Sequence, residues 1–205
     1  MRRLAMERRQ FLKQGSVAAA ALSTGSLGLL GAACSEQAET QPAVSDAPHA
    51  QEGIYVPSGE DRFNEKVRIW GIIPHEVKVA SRDTGGNLFV FEHNGMGKGG
   101  PPRHLHLEQD EWFFVREGEF AFEVGEKAYT LNPGDSLFAP RMVPHVWAHV
   151  GNTPGTLLLA VQPAGTMEEF FRASVRMTAP PTPQEAEAMF AAHGMKVVGP
   201  PLNVG

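Results

Sequence analysis

The chain has 205 residues, 42% of them hydrophobic and 20% charged, with a formal charge of −5. That balance suits one globular domain of about 100–150 residues with extensions, and not a disordered chain. A single cysteine excludes an internal disulfide framework, and without a basic stripe an acidic chain is a poor nucleic-acid binder.

Residues 1–33 read as an export signal. Arg2, Arg3, Arg8, Arg9 and Lys13 against Glu7 are followed by a weakly apolar run, Gly15 to Ala33. A basic start, an apolar middle and small residues at the end are the parts of a secretory signal. Arg8-Arg9 with Phe11-Leu12-Lys13 resembles a twin-arginine export signal. Gly31-Ala32-Ala33-Cys34 resembles a lipobox, so Cys34 is a candidate lipidation site; ordinary cleavage nearby is the alternative. The expected location is the periplasm, free or anchored through Cys34 on the outer side of the inner membrane. Taking the signal's net +4 from −5 leaves −9 for the remainder, so charge alone would not draw it to anionic lipid. Residues 34–53 are rich in Ser, Gln, Glu, Ala and Pro without apolar period and read as a disordered tether.

Residues 54–175 are expected to form the folded body. Short apolar stretches alternate with turn residues: Val77–Ala80, Leu88–Glu92, His104–Leu107, Trp112–Val115, Phe120–Val124, Ala128–Leu131, Ser136–Ala139, Val146–Val150 and Thr156–Gln162. Between them lie turn signals such as Glu117-Gly118 and Asn132-Pro133-Gly134-Asp135. Many short strands at this spacing argue for an all-β antiparallel sandwich or barrel. Phe113, Phe120, Phe122 and Trp147 are its expected lining. Two short helices follow: Met167–Val175, with Thr166 as candidate cap, and Pro183 to about Ala192, with Thr182 as cap and Gly194 as stop. They are expected to cover an open face or edge, with 176–205 a helical extension.

His104-Leu105-His106 is the first chemical signal. Residues i and i+2 of a strand share a face, so both imidazoles project into one cavity. A carboxylate could come from Glu108, Asp110 or Glu111. Strict alternation favours the first two. A turn at Glu108–Asp110 would reset parity and let Glu111 face inward with Phe113 and Val115. His145 opens a later strand after the Pro140–Pro144 corner, and by alternation Trp147 and His149 face the same way.

These residues resemble the two motifs of the cupin superfamily. His104, His106, Glu111 and Gly118 match the first, and Gly134, Pro140 and His145 the second. Met142 stands where the family usually has glycine and His149 where it usually has asparagine. The resemblance implies a single-domain double-stranded β-helix, or jelly-roll barrel. It also implies one divalent ion (Fe, Mn, Ni, Cu or Zn) on His104, His106, Glu111 and His145, with positions left open for chemistry. His149 is then a candidate to support the ligands from behind, or a barrel histidine bonded to backbone. Asp110 to Val115 and Gly199-Pro200-Pro201-Leu202 resemble cupins described as quercetin-dioxygenase-like. That implies a dioxygenase acting on a small enolic or aromatic, flavonol-like substrate, with Glu111 as base toward its hydroxyl. A non-redox lyase or isomerase, or a small-ligand-binding cupin without turnover, are the alternatives. Family habit also implies a homodimer, with residues 54–73 as the candidate added strand.

Overall fold

The computed structural model describes residues 49–204. The export signal, Cys34 and most of the tether lie outside the described residues. Eleven strands and two helices are described, in this order: β1 (Val67–Ile69), β2 (Ile73–Val79), β3 (Phe89–Met96), β4 (Arg103–His106), β5 (Asp110–Glu117), β6 (Phe120–Val124), β7 (Lys127–Leu131), β8 (Ser136–Ala139), β9 (His145–His149), β10 (Gly155–Gln162), α1 (Met167–Val175), α2 (Pro183–Ala192) and β11 (Met195–Gly199). One sheet has the order β1-β2-β3-β10-β5-β8 and the other β11-β4-β9-β6-β7. All pairings are antiparallel. This is the expected all-β jelly roll of two antiparallel sheets.

Alternation explains how the barrel fills. Along β5, Glu111, Phe113 and Val115 are buried while Trp112 and Phe114 turn outward, stacked with ring centroids 5.9 Å apart. Phe89, Phe91, Phe120, Phe122, Leu157 and Leu159 face the same interior and are fully buried, each side chain contributing about 2–3 kcal/mol of apolar burial. Gly118, at φ +82° between β5 and β6, is required twice over. Its conformation suits glycine, and a Cβ there would lie 2.8 Å from Gly155 Cα.

The outer face of β3 carries a buried acid, Glu92. Arg116 holds it at 2.6 Å and Lys78 at 3.2 Å, and Lys78 also reaches Glu76 at 2.7 Å. One ammonium thereby bridges two carboxylates that oppose each other across β2 and β3.

Both predicted helices are present. Thr182 accepts a hydrogen bond from the Glu185 amide while Glu185 reaches back to the Thr182 amide, a reciprocal cap. Thr166 does not cap α1 through its side chain: its backbone, at φ −104° and ψ 22°, does not have the extended conformation a capping residue usually takes. The segment after α1 is also not only helical. After α2 the chain returns as β11 and pairs with β4, Met195 opposite His106 and Val197 opposite His104. The helices close the barrel's open end: Phe171 of α1 stacks on His75 at 4.5 Å, and Phe190 of α2 meets His104 edge-on at 5.1 Å.

The glycine-rich approach to β4 is a fixed wall. Gly99 and His149 exchange two backbone hydrogen bonds of 3.0 and 3.1 Å, so the segment continues the sheet beside β9 where β4 ends.

Candidate metal centre

Two adjacent strands of one sheet and one strand of the other meet at a single point. β4 presents His104 and His106 on one face. β9 presents His145 directly opposite His104. β5, from the facing sheet, brings Glu111. The turn between β4 and β5 does reset parity: Glu108 is exposed, Asp110 is half-buried, and Glu111 is 4% exposed. Asp110 instead pairs with Arg141 at 2.7 Å and accepts its backbone N–H at 2.8 Å. That clamp ties the residue before Glu111 to the corner that leads into His145. The same pairing holds the Asp110 carboxyl below its ordinary pKa. At that corner Met142 takes φ +64°, and its N–H donates to the His106 carbonyl at 2.8 Å.

One ligand atom from each of His104, His106, Glu111 and His145 lies within 4.8 Å of all the others, and all four residues are buried. Glu111 Oε2 is 3.0 Å from His145 Nε2 and 3.3 Å from His106 Nε2. Each ring's other nitrogen faces an acceptor: Nδ1 of His104 the Pro102 carbonyl at 2.8 Å, Nδ1 of His145 the Val143 carbonyl at 3.2 Å, and Nδ1 of His106 the Gln109 Oε1 at 3.3 Å. Acceptors at Nδ1 hold a proton there, which turns each Nε2 inward, able to donate to Glu111 when protonated and to bind a cation when not. Burial, reinforced by the neighbouring His145 and His106, pushes His104 down to about 3, so its ring is neutral at pH 7. Burial raises the Glu111 carboxyl, but the imidazoles of His106 and His145 more than offset this and hold it well below the usual carboxylate range.

Three inward-turned Nε2 atoms and a carboxylate gather several acceptor atoms at one buried point, and His106 Nε2 is buried without a hydrogen bond. A cation satisfies such a set, and three imidazoles with one carboxylate suit a divalent transition metal. The residues present therefore fit the ion that the cupin motifs imply.

Other residues reach the site that the motifs do not mark. Gln109 is buried between His106 and the Ala164 carbonyl. We expect Gln109→Ala to weaken metal affinity about 10- to 100-fold with little change in fold, since it only orients a ligand; titration with cobalt(II) measures this. His93 of β3 lines the same small cavity, with its Nδ1 on the Pro74 carbonyl at 3.0 Å. Burial lowers its pKa to about 4. Its place follows from alternation with Phe89 and Phe91, a signal present in the sequence. Trp147, Phe170 and Phe190 complete an apolar chamber of about 50 Å³.

His149 is not brought to the centre. It is four residues along β9 from His145, about 13 Å at a strand's rise of roughly 3.3 Å per residue. It packs edge-on against Phe120 at 5.1 Å, away from the ligand cluster. It therefore does not support a ligand, and sits as a barrel histidine near the backbone of Gly97 and Thr153. Phe113, Phe120, Phe122 and Trp147 are buried as expected.

Residues 92–161 match the family model described as Cupin domain. Among solved structures the chain is similar to an RmlC-like cupin from Shewanella frigidimarina (24% identity, 57% of this chain and 96% of that one, TM-score 0.43). It is also similar to the nucleoside dehydratase Pac13 (13%, 67% and 87%, 0.43) and to the DMSP lyase DddQ from Ruegeria pomeroyi (23%, 44% and 47%, 0.38). No curated protein matches it significantly.

Proposed function

We propose that this chain, a cupin by its jelly-roll fold and by the match over residues 92–161, is an exported metalloenzyme that joins O2 to a small enolic or aromatic substrate. The observation that carries the enzyme reading is the convergence of three imidazole nitrogens and one carboxylate beside an apolar chamber. The likeness of Asp110 to Val115 to quercetin-dioxygenase-like cupins supports the dioxygenase class. The ion would be held by His104, His106, Glu111 and His145, and would supply a Lewis-acid centre that can also exchange electrons if redox-active.

The chain's own groups supply the rest. Glu111 is an ionised carboxylate in a dry site; its basicity is lowered while the imidazoles hold it, and once loosened from them it would accept the proton of a substrate hydroxyl. Phe91, Trp147, Phe170 and Phe190 exclude water and offer apolar surface to a ring. His93, neutral with Nδ1 engaged, leaves Nε2 as an acceptor. Export rests on the Arg8-Arg9 signal, and Cys34 is the proposed anchor.

The test is metal analysis of the purified mature chain followed by O2 uptake with 3-hydroxyflavone and related enolic aromatics. A redox-active ion near one per chain and substrate-dependent O2 uptake are expected. Turnover of substrate under argon would replace this reading with a lyase or isomerase.

A further inference from the structure

A second cavity lies outside the metal chamber. It is an open groove of about 950 Å³, formed between the β1–β2 turn, the glycine-rich segment, the start of α2 and β11 with the residues after it. Six prolines line it, and its charged lining residues are Lys98 and Glu187. Proline has no N–H and a fixed φ, so these walls are stiff and poor in polar groups. Ile72 and Val198 add exposed apolar surface, at 57% and 41%. Trp70 and Ile73 line both the groove and the inner chamber, so the two cavities share a wall. Trp70 is held there at φ +53°, with its N–H donating to the Ser174 carbonyl at 3.2 Å. A side chain kept in a left-handed backbone conformation is a strained feature of the kind that gathers at ligand sites.

The sizes differ in a way that specifies a ligand. At roughly 10–15 Å³ per water, about 50 Å³ admits only a few non-hydrogen atoms beside the ligands. The groove falls in the range of drug-sized ligand sites, about 300–1,000 Å³. We propose that the groove is a binding subsite for the flat, apolar, ring-containing body of the substrate, whose small polar head passes between Trp70 and Ile73 to the metal chamber. Flat proline faces and the indole of Trp70 suit a planar ring system. This subsite rests on the metalloenzyme reading for its inner half only.

The test uses cobalt(II)-loaded protein and two hydroxamates that share a chelating head. Acetohydroxamate has no body; 2-naphthohydroxamate carries a flat one. The naphthyl compound is expected to bind about thirtyfold tighter, because its ring system leaves water for an apolar groove. Val198→Asp and Ala186→Trp, which charge or fill the groove, should each cut that advantage to about threefold or less while leaving acetohydroxamate unchanged. An equal advantage in both variants, or none in the unmodified protein, overturns the subsite. If neither hydroxamate alters the cobalt spectrum, the metal reading fails by itself. The groove is then judged by 2-naphthoate binding to the metal-free chain: binding that Val198→Asp abolishes supports the subsite, and absent or unaffected binding overturns it.

Discussion

His104→Ala is expected to lower metal affinity by at least about 100-fold, more than loss of a residue that only orients a ligand. His104 sits between the other imidazoles, 4.5 Å from the His145 ring and 5.3 Å from that of His106. Removing it leaves two imidazoles and a carboxylate that can no longer surround an ion. The effect should also be visible in stability. An ion at 100 times its Kd stabilises the folded chain by about 2.7 kcal/mol. For a domain of this size that raises Tm by about 5–10 °C. The metal-dependent rise should vanish in His104→Ala and persist in His93→Phe, which changes a chamber wall and no ligand. Calorimetry with and without a chelator decides it, and a full metal-dependent rise in His104→Ala would remove His104 from the ligand set.

Gly100→Ala is expected to destabilise the chain by about 3–4 kcal/mol, at the high end for a single small substitution. A Cβ at Gly100 would collide with the Trp147 carbonyl oxygen and sit 3.0 Å from Ala148 Cα. Both neighbours are backbone of a strand buried on both faces, so neither can rotate away. The glycine-rich segment and β9 would have to separate, breaking the Gly99–His149 pair. Gly97 provides the contrast. Nothing lies within 4 Å of a Cβ there and its φ is not positive, so Gly97→Ala should be neutral or stabilising by up to about 1 kcal/mol through the unfolded chain. Urea midpoints of the two variants measure the difference, and similar midpoints would mean the segment is not wedged against β9.

Much of this architecture was legible locally. The two-residue spacing of His104 and His106, the phase change at Glu108–Asp110 and the alternation of Phe113 and Val115 with outward aromatics are short-range patterns that strand geometry converts directly into positions. Met142 shows the use of a family habit: glycine is usual there because the corner needs a positive φ, and this chain adopts the same backbone with a different residue. What was not legible depended on distant pairing. β1 and β11 are only three and five residues long, and β11 follows two helices, so nothing local marks it as part of the sheet. Gln109 could not be told from any polar turn residue until Ala164 was placed beside it. For His149, alternation reports which face the side chain takes, not how far along the strand it lies, so it could not by itself separate a ligand-supporting role from a barrel histidine.

The edge strand β11 contributes no ligand, yet it bears on how fast the site would exchange a bound ion. β4 is four residues long and its register with β9 is the single pair His104–His145, so most of its backbone pairing comes from β11. When β11 lifts away, His104 and His106 lose the lattice that aims them both. Local opening of a short, terminal strand has a lower free energy than global unfolding. The residence time of the ion would then follow the opening rate of β11, readable as matched amide exchange of Val197 and metal release, rather than the strength of any one coordinate bond.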